Sequence, residues 1–416
     1  MKQEKNILIL GAGINGLALA CVLTEAGLSV SVLDKSISSL LAPLPLVGEG
    51  LGERAVQGER RDKNLLRVSA LTPSSLDFLE KLNIKKSLDH QSLSYFSGMK
   101  IWDNPNLDHL NPNLDLEAQG AIVENIFLQS CLKNQAEKLG VVFYTGEPVN
   151  LSRDSQKVYL EFKSLNPSLR RDDAVQRVGT LEADILIGAD GVNSWVREAA
   201  GIKTQIKSYQ ELAIVAVLET SKNHEQTAYQ KFIRTGPIAF LPLLNSPENS
   251  NLISLVWSCE KNKAQDLLNL SPEHFERELE KNFGILGALK LRSERVSFEL
   301  KHHHAKRYIS EKIVLIGDAA HSIHPLAGLG LNMGLKDVKV LAELLIRNKN
   351  RKYSWQILSS YERERVIQNS KIHTAMTGLD FIFKNKVPGL NFMREQGMSW
   401  INQSSYLKRK IVETGY

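Results

Sequence analysis

Residues 6–34 read NILILGAGINGLALACVLTEAGLSVSVLD. The opening NILIL is short, continuous and apolar, the pattern of a parallel strand buried on both faces. From Gly16 onward Leu17, Leu19, Ala20, Leu23 and Ala26 recur at helical spacing, and Gly27 suits the position just past a helix C-terminus. SVSVLD then reads as a second strand, which makes the stretch a βαβ unit. Gly11, Gly13 and Gly16 stand between strand and helix. The first permits the tight turn, the second lets backbone approach a pyrophosphate, and the third lets helix pack closely on strand. The helix N-terminus faces the phosphate charge. Asp34 closes the second strand, where a carboxylate accepts hydrogen bonds from a ribose with a free 2′-OH. The site suits FAD or NAD better than NADP.

The chain's 416 residues exceed what one core organises and imply two or three lobes of roughly 150 residues each. A composition 43% hydrophobic and 24% charged is that of a soluble globular protein. The net charge of +6 is scattered, apart from LKRK near the C-terminus, and gives no reason to expect nucleic acid. Cys21, Cys131 and Cys259 are far apart and form no CxxC, so neither a disulfide framework nor a zinc site is expected, and a reducing cytosol fits. An apolar strand begins within a few residues of Met1, leaving no room for a secretion signal. No apolar run approaches the ~20 residues of a membrane-spanning helix. The expected setting is the cytoplasm, either in solution or peripherally on the inner face of the membrane.

Residues 40–63 are punctuated by Pro and Gly and then charged, without period, and read as an exposed loop. Helical patterns follow at 72–82 and 125–139, and strand-like runs at 141–163. From about 208 to 300 the texture changes: LAIVAVLET, IAFLPLL and LISLVWSCE read as strands of an antiparallel sheet. A strand–turn–helix returns at 312, and the chain beyond 335 is mostly helical. His302, His303 and His304 are consecutive, so on a strand they point to opposite faces and do not converge on one tetrahedral metal. They read as solvated loop or strand residues, and no metal site is expected.

Two further turns resemble the first. ILIGADGVNSWVRE places Asp190 and Gly191 at a strand end ahead of a helix. IVLIGDAAHSIHPLAGLGLNMGLKD repeats the design with Gly317 and Asp318. GxGxxG, an internal DG and a GD, in that order, resemble the class A flavoprotein monooxygenases, the para-hydroxybenzoate hydroxylase-like group. The likeness spans nearly the whole chain. LLRVSALTPSSLDFLEKL, VENIFLQSCL, GADGVNSWVRE, GPIAFLPL and PLAGLGLNMGLKDV narrow it to the ubiquinone-biosynthesis hydroxylases. VPGLNFMREQGM and YLKRK resemble those members that hydroxylate the methoxy-methyl-benzoquinol intermediate.

The resemblance implies an α/β fold: a Rossmann-like FAD-binding domain, an antiparallel-sheet substrate domain and a helical C-terminal region. The FAD-binding domain is expected at 1–204 and 301–350, the substrate domain at 205–300, and the helical region at 351–416. It implies further that Asp318 hydrogen-bonds the FAD ribityl chain, and that backbone from Pro325 through Gly328 and Gly330 to Asn332 wraps the isoalloxazine. A reduced flavin is anionic, and a helix N-terminus near Asn332 offers amide donors and a positive dipole. By the same likeness Arg67 lies near the pyrophosphate and the nicotinamide path, and Asn125 near the diphosphate. Leu329 stands where the family carries glutamine, so any side-chain role of that glutamine is lost here.

The implied activity is aromatic hydroxylation of a polyprenylated phenol or quinol. NAD(P)H, which has no fingerprint of its own and so binds transiently, reduces FAD. O2 adds at the flavin C4a carbon, and the hydroperoxide delivers oxygen to the ring. His321 and His324 flank the flavin loop as candidates for proton transfer, since histidine titrates near neutral pH. Other readings are a flavoprotein of the same fold acting on a soluble phenol or a prenyl chain, or an FAD-stabilised, non-catalytic member of a ubiquinone-biosynthesis complex. Aromatic and basic residues mingle in the C-terminal tail, as suits contact with a membrane surface.

Overall fold

In the computed structural model the described residues are 5–36, 67–84, 88, 93–103, 111–165, 178–244, 251–322, 329–384, 397–398 and 400–408. The loop at 40–63, His324, Pro325 and Gly328 lie outside them. The N-terminal unit folds as β1 (Asn6–Leu10), α1 (Ile14–Glu25) and β2 (Ser29–Asp34). α1 is buried almost all round, from Gly16 through Cys21 and at Leu23. It lies between the sheet and two later helices, which explains its apolar composition.

The chain continues through β3 (Val68–Leu71), α2 (Pro73–Glu80), β4 (Leu93–Phe96), β5 (Gly98–Trp102) and β6 (Leu114–Leu116). Then come β7 (Gly120–Glu124), α3 (Asn125–Leu139), β8 (Val142–Arg153), β9 (Val158–Ser164), β10 (Val178–Ala183), β11 (Ile185–Gly188) and α4 (Trp195–Ala199). The mid-chain strands are β12 (Thr204–Thr220), β13 (Thr227–Ile233), β14 (Gly236–Pro242) and β15 (Leu252–Glu260). Helices α5 (Lys261–Asn269) and α6 (Pro272–Phe283) precede β16 (Leu289–Leu291) and β17 (Val296–Ala305). The last elements are β18 (Ile309–Ser310), β19 (Ile313–Leu315), β20 (His321–Ser322), α7 (Leu329–Arg347) and α8 (Trp355–Lys384).

These strands make three sheets. The first runs β10-β9-β8-β2-β1-β11-β19-β18, parallel from β8 to β19 and antiparallel at both edges. It brings the ends of β1, β11 and β19, and with them all three glycine-bearing turns, side by side. The second has nine strands, β20-β17-β12-β15-β14-β13-β5-β6 with β16 also on β12. It takes in β5, β6 and β20, which the expected boundaries of 205–300 leave out. A small third sheet, β3-β7-β4, lies nearby.

The second sheet is apolar on both faces because both are covered. Ile214, Ala216 and Leu218 of β12 pack with Trp257, Phe275 and Phe283 beneath α5 and α6. Val215 and Val217, one residue out of phase, pack on the opposite side with Ala70, Phe96 and Met99. That second side is where a cavity forms.

The three histidines are not simply solvated, and His304 is half-buried. His302 and His303 are buried, because this end of β17 is clamped between β12 and the two-residue β20. Among the described residues no group of His, Cys, Asp and Glu could hold a metal ion. All three cysteines are free and buried.

Candidate active site

At the first turn Gly11 adopts φ +111°, and a Cβ there would collide with the carbonyl of Ala189 at the end of β11. A Cβ on Gly16 would strike the Gly11 carbonyl. The two glycines thus let the start of α1 sit directly against the strand ends. Around Gly13, by contrast, the described residues beyond its own chain neighbours place no atom within 4 Å of such a Cβ. That position faces open space at a helix N-terminus, where backbone amides can meet an anion. Asp34 Oδ2 accepts from Ala12 N at 2.8 Å, and Oδ1 accepts from Ser36 N at 2.7 Å, so the carboxylate is fixed beside the turn.

At the second turn Asp190 points back into its own chain. Its Oδ2 accepts from Val196 N at 3.1 Å, while Oδ1 is buried without a partner among the described residues. Burial raises its pKa, against hydrogen bonds from Ser194 and Val196. Gly191 follows with φ +81°. Arg197 of α4 then ties this turn to the third, donating to Ala319 O at 2.8 Å and Val192 O at 2.9 Å.

At the third turn Asp318 is exposed between buried Gly317 and Ala319, so it opens onto a cleft. Surrounding protein displaces water and raises its pKa, which the charges of His321 and Arg67 oppose. Arg67 is exposed and sits over the Phe298 ring, 5.1 Å from its centroid. Asn125 N donates to the Arg67 carbonyl at 3.0 Å, and Asn125 Oδ1 accepts from Ser69 Oγ at 2.7 Å. The antiparallel pairing of β3 with β7 makes these two residues neighbours. Asn332 lies in the first turn of α7, after Leu329 and Gly330. Its side chain is consumed by β3: Thr72 N donates to Oδ1 at 3.0 Å, and Nδ2 donates to Ala70 O at 2.7 Å. Asn332 therefore fastens the helix start to the strand that carries Arg67.

Behind the third turn lies a buried polar network with no counterpart in the sequence reading. Asp337 of α7 is fully buried. It accepts from Gly317 N at 3.0 Å and from Arg365 Nε at 2.7 Å, and its Oδ2 lies 2.5 Å from His321 Nε2. Burial alone would raise this carboxyl, yet the His321 and Arg365 charges and hydrogen bonds hold it below the ordinary value. Since an ionised carboxylate only accepts, the His321 proton is assigned to Nε2. Asn369 and Tyr308 extend the network, and Tyr308 meets His304 at 2.8 Å. His303, 3.3 Å from Arg197 Nη1, is held neutral, its pKa pushed down to about 4 chiefly by burial and then by Arg197. Asp337 thus ties His321 to the backbone of Gly317.

Beyond Arg67 opens a cavity of ≈ 140 Å³ between the second sheet and β3. Its walls are Val68, Ala70, Phe96 and Phe298, with Val215, Val256 and Gln230 in the floor. Arg67 belongs to both the cleft and the cavity. The structure thus brings Gly11, Gly13, Gly16, Asp34, Asp190, Gly191, Gly317 and Asp318 to the carboxyl ends of the central strands of the first sheet. Arg67 lines the cavity, Asn125 and Asn332 are hydrogen-bonded to the β3 segment that carries it, and Gly330 opens α7 beside Asn332.

The sequence profile of the family described as FAD binding domain matches residues 4–374. Among curated proteins, the 3-demethoxyubiquinol 3-hydroxylase of Escherichia coli (strain K12) is 27% identical over 421 residues, spanning 99% of this chain and 98% of that protein. The ubiquinone hydroxylase UbiL of Rhodospirillum rubrum is 30% identical over 416 residues, spanning 97% and 87%. The crystal structure of p-nitrophenol 4-monooxygenase PnpA from Pseudomonas putida DLL-E4 aligns with a TM-score of 0.74 at 17% identity, covering 100% of this chain and 99% of that one. Klebsiella pneumoniae HpxO, complexed with FAD and uric acid, aligns with a TM-score of 0.70 at 14% identity, covering 100% and 97%. At such identities the two structures speak for the fold alone.

Proposed function

The chain belongs to the FAD-binding-domain family, and from that premise we propose an FAD-dependent aromatic hydroxylase of ubiquinone biosynthesis. Its substrate is the ring of a polyprenylated phenol or quinol, and its co-substrates are NAD(P)H and O2. The residues fit the cofactor: open space at Gly13, a fixed acid at Asp34, and an Asp318 carboxylate that accepts no hydrogen bond from the described residues. When bound, FAD supplies the redox chemistry, taking a hydride and activating O2.

The observation that carries the reading is the cavity on the far side of Arg67. An apolar cavity of roughly 150 Å³ takes up benzene, so ≈ 140 Å³ admits one aromatic ring and leaves a prenyl tail outside. The chain's own work is to bind, orient and shield. Asp34 holds the ribose, Asp318 the ribityl hydroxyls, and the α7 N-terminus places amides and dipole where negative charge develops. Apolar walls keep water from the reacting atoms. Anaerobically purified holoenzyme given NAD(P)H, a short-tailed quinol and ¹⁸O₂ is expected to place ¹⁸O on the product ring, read by mass spectrometry. NAD(P)H oxidation indifferent to quinol, yielding only peroxide, would refute the assignment.

A polyprenylated ring resides in lipid, yet no described helix is long and apolar enough to cross a membrane. Met398 and Ile401 anchor the C-terminal segment against the core cluster beside the cavity. On the same segment Trp400 and Tyr406 are 71% and 67% exposed, next to Lys408. This segment is the contact with anionic lipid on the inner, cytoplasmic membrane face, each cation adding about 1 kcal/mol near the surface. Flotation with anionic vesicles at low salt is expected to fall at least several-fold in a flavin-loaded Trp400→Ser, Tyr406→Ser variant. Equal flotation would place the membrane contact elsewhere.

A further inference from the structure

We infer that Gln230 orients the substrate ring by hydrogen-bonding one of its oxygens; the inference rests on the hydroxylase reading above. The cavity floor is a transverse row of the second sheet. Register pairs Gln230 with Ala239, Ala239 with Val256, and Val256 with Val215. Cross-strand partners share a face, so the four side chains rise together beneath the ligand. Three of them are apolar. Gln230 is the exception, and it is 6% exposed.

No hydrogen bond of its side-chain amide to the described residues is seen, and the amide is not among the polar atoms wholly shut off from solvent, so it reaches the cavity. A ring that displaces water there would have to supply the amide's partner, because a desolvated amide left unpaired is costly. This amide also has nowhere else to turn. Its strand is held between β14 and β5, with Gln230 opposite Ala239 and Ile101. Tyr229, on the opposite face, stacks on Trp102 and donates to the His224 carbonyl. Ala228 and Ala239 flank Gln230 on the cavity side, leaving space above it.

An amide offers both a donor and an acceptor. It therefore matches a ring bearing hydroxyl or methoxy oxygens and penalises one that bears none. The other polar group of the lining with a free end is Arg67, on the Asp318 side. One fixed contact on the floor sets the ring's rotation in the cavity, and so which ring carbon faces the flavin. Gln230 thus bears on regiochemistry as well as affinity.

The test uses oxidised, flavin-loaded enzyme without NAD(P)H, titrated anaerobically with two tail-free probes. One is a methoxy- and methyl-substituted hydroquinone; the other is the same ring with every oxygen substituent replaced by methyl. The wild type is expected to prefer the oxygenated ring by about tenfold or more. In Gln230→Leu and in Gln230→Met, which keeps the side-chain length, the preference should shrink to about threefold or less. The flavin spectrum should stay unchanged, since Gln230 does not line the dinucleotide corner. In turnover, both variants should form less hydroxylated product per NAD(P)H consumed. Preference retained in either folded variant, or absent from the wild type, overturns the role given to Gln230. Failure of the wild type to place ¹⁸O on a quinol overturns the hydroxylase reading instead, so the two failures are told apart.

Discussion

Asp337→Ala is expected to cost about 3–5 kcal/mol of folding stability, the penalty for stranding a buried opposite charge. Asp337 has 0% exposure and is the shared acceptor for Gly317 N, His321 and Arg365. Arg365 is itself 1% exposed. Without the carboxylate its guanidinium keeps Asn369, at 2.8 Å, and the Met333 carbonyl, but no negative partner. Asp337→Asn preserves shape and one acceptor, so it should fall between wild type and alanine. Urea denaturation followed by far-UV circular dichroism, at fixed flavin concentration, gives the comparison. A loss below about 1 kcal/mol in the alanine variant would show that water reaches the pair and that the charge is not stranded. Because Asp337 also anchors Gly317, both variants should loosen the third turn.

His321 stood out in the sequence as a proton-transfer candidate, but the network it joins was not legible there, and the reason is physical. Asp337 follows Asn332 along α7 like any polar residue of an amphipathic helix. Its burial depends on α8 laying Arg365 and Asn369 across it, a contact between elements that no local periodicity encodes. The βαβ unit was legible because its determinants are local: an apolar run, a helical period and glycines whose space is set by adjacent strand ends. The strands LAIVAVLET and LISLVWSCE were legible by composition, but the membership of their sheet was not. β5 joins β13 in parallel register across more than 100 residues of chain, from Gly98↔Thr227 to Trp102↔Lys231.

The histidine run shows how far a periodicity argument carries. Alternation places His302 and His304 on one face and His303 on the other, yet it is silent on whether either face is covered. His302 and His303 point to opposite faces and both are buried, so both faces are covered, while β20 only pairs along the edge of β17. Gln230 was missed for a related reason. In TAYQKFI both faces are buried, so the alternation that marks a half-exposed strand is absent, and with Thr227, Gln230 and Lys231 all buried nothing in the sequence singles out Gln230. The C-terminal segment divides: Met398 packs into the core cluster while Trp400 and Tyr406 are exposed.

On the cofactor side the largest effect is expected from Asp318→Ala. The backbone on either side of Asp318 is held without help from its side chain. Asp337 accepts from Gly317 N, and Arg197 donates to the Ala319 carbonyl. The carboxylate accepts no hydrogen bond from the described residues and opens onto the cleft, where its surroundings raise its pKa. Folding therefore gains little from this charge, and removing it should leave the unfolding midpoint of the apoprotein unchanged or slightly raised. A ligand hydroxyl donating to it would lose a charged acceptor, worth about 1.5–3 kcal/mol, or roughly ten- to a hundredfold in flavin dissociation constant. Asp318→Asn keeps a neutral acceptor and should lose less. Flavin fluorescence quenching on titration into apoprotein measures the constant, and thermal unfolding of the same samples supplies the control. Unchanged flavin affinity in the alanine variant would remove Asp318 from the cofactor site. Weakened affinity together with a lowered apoprotein midpoint would instead make it a scaffold residue. Only weakened affinity at constant apoprotein stability is the signature of a side chain the fold holds out for its cofactor.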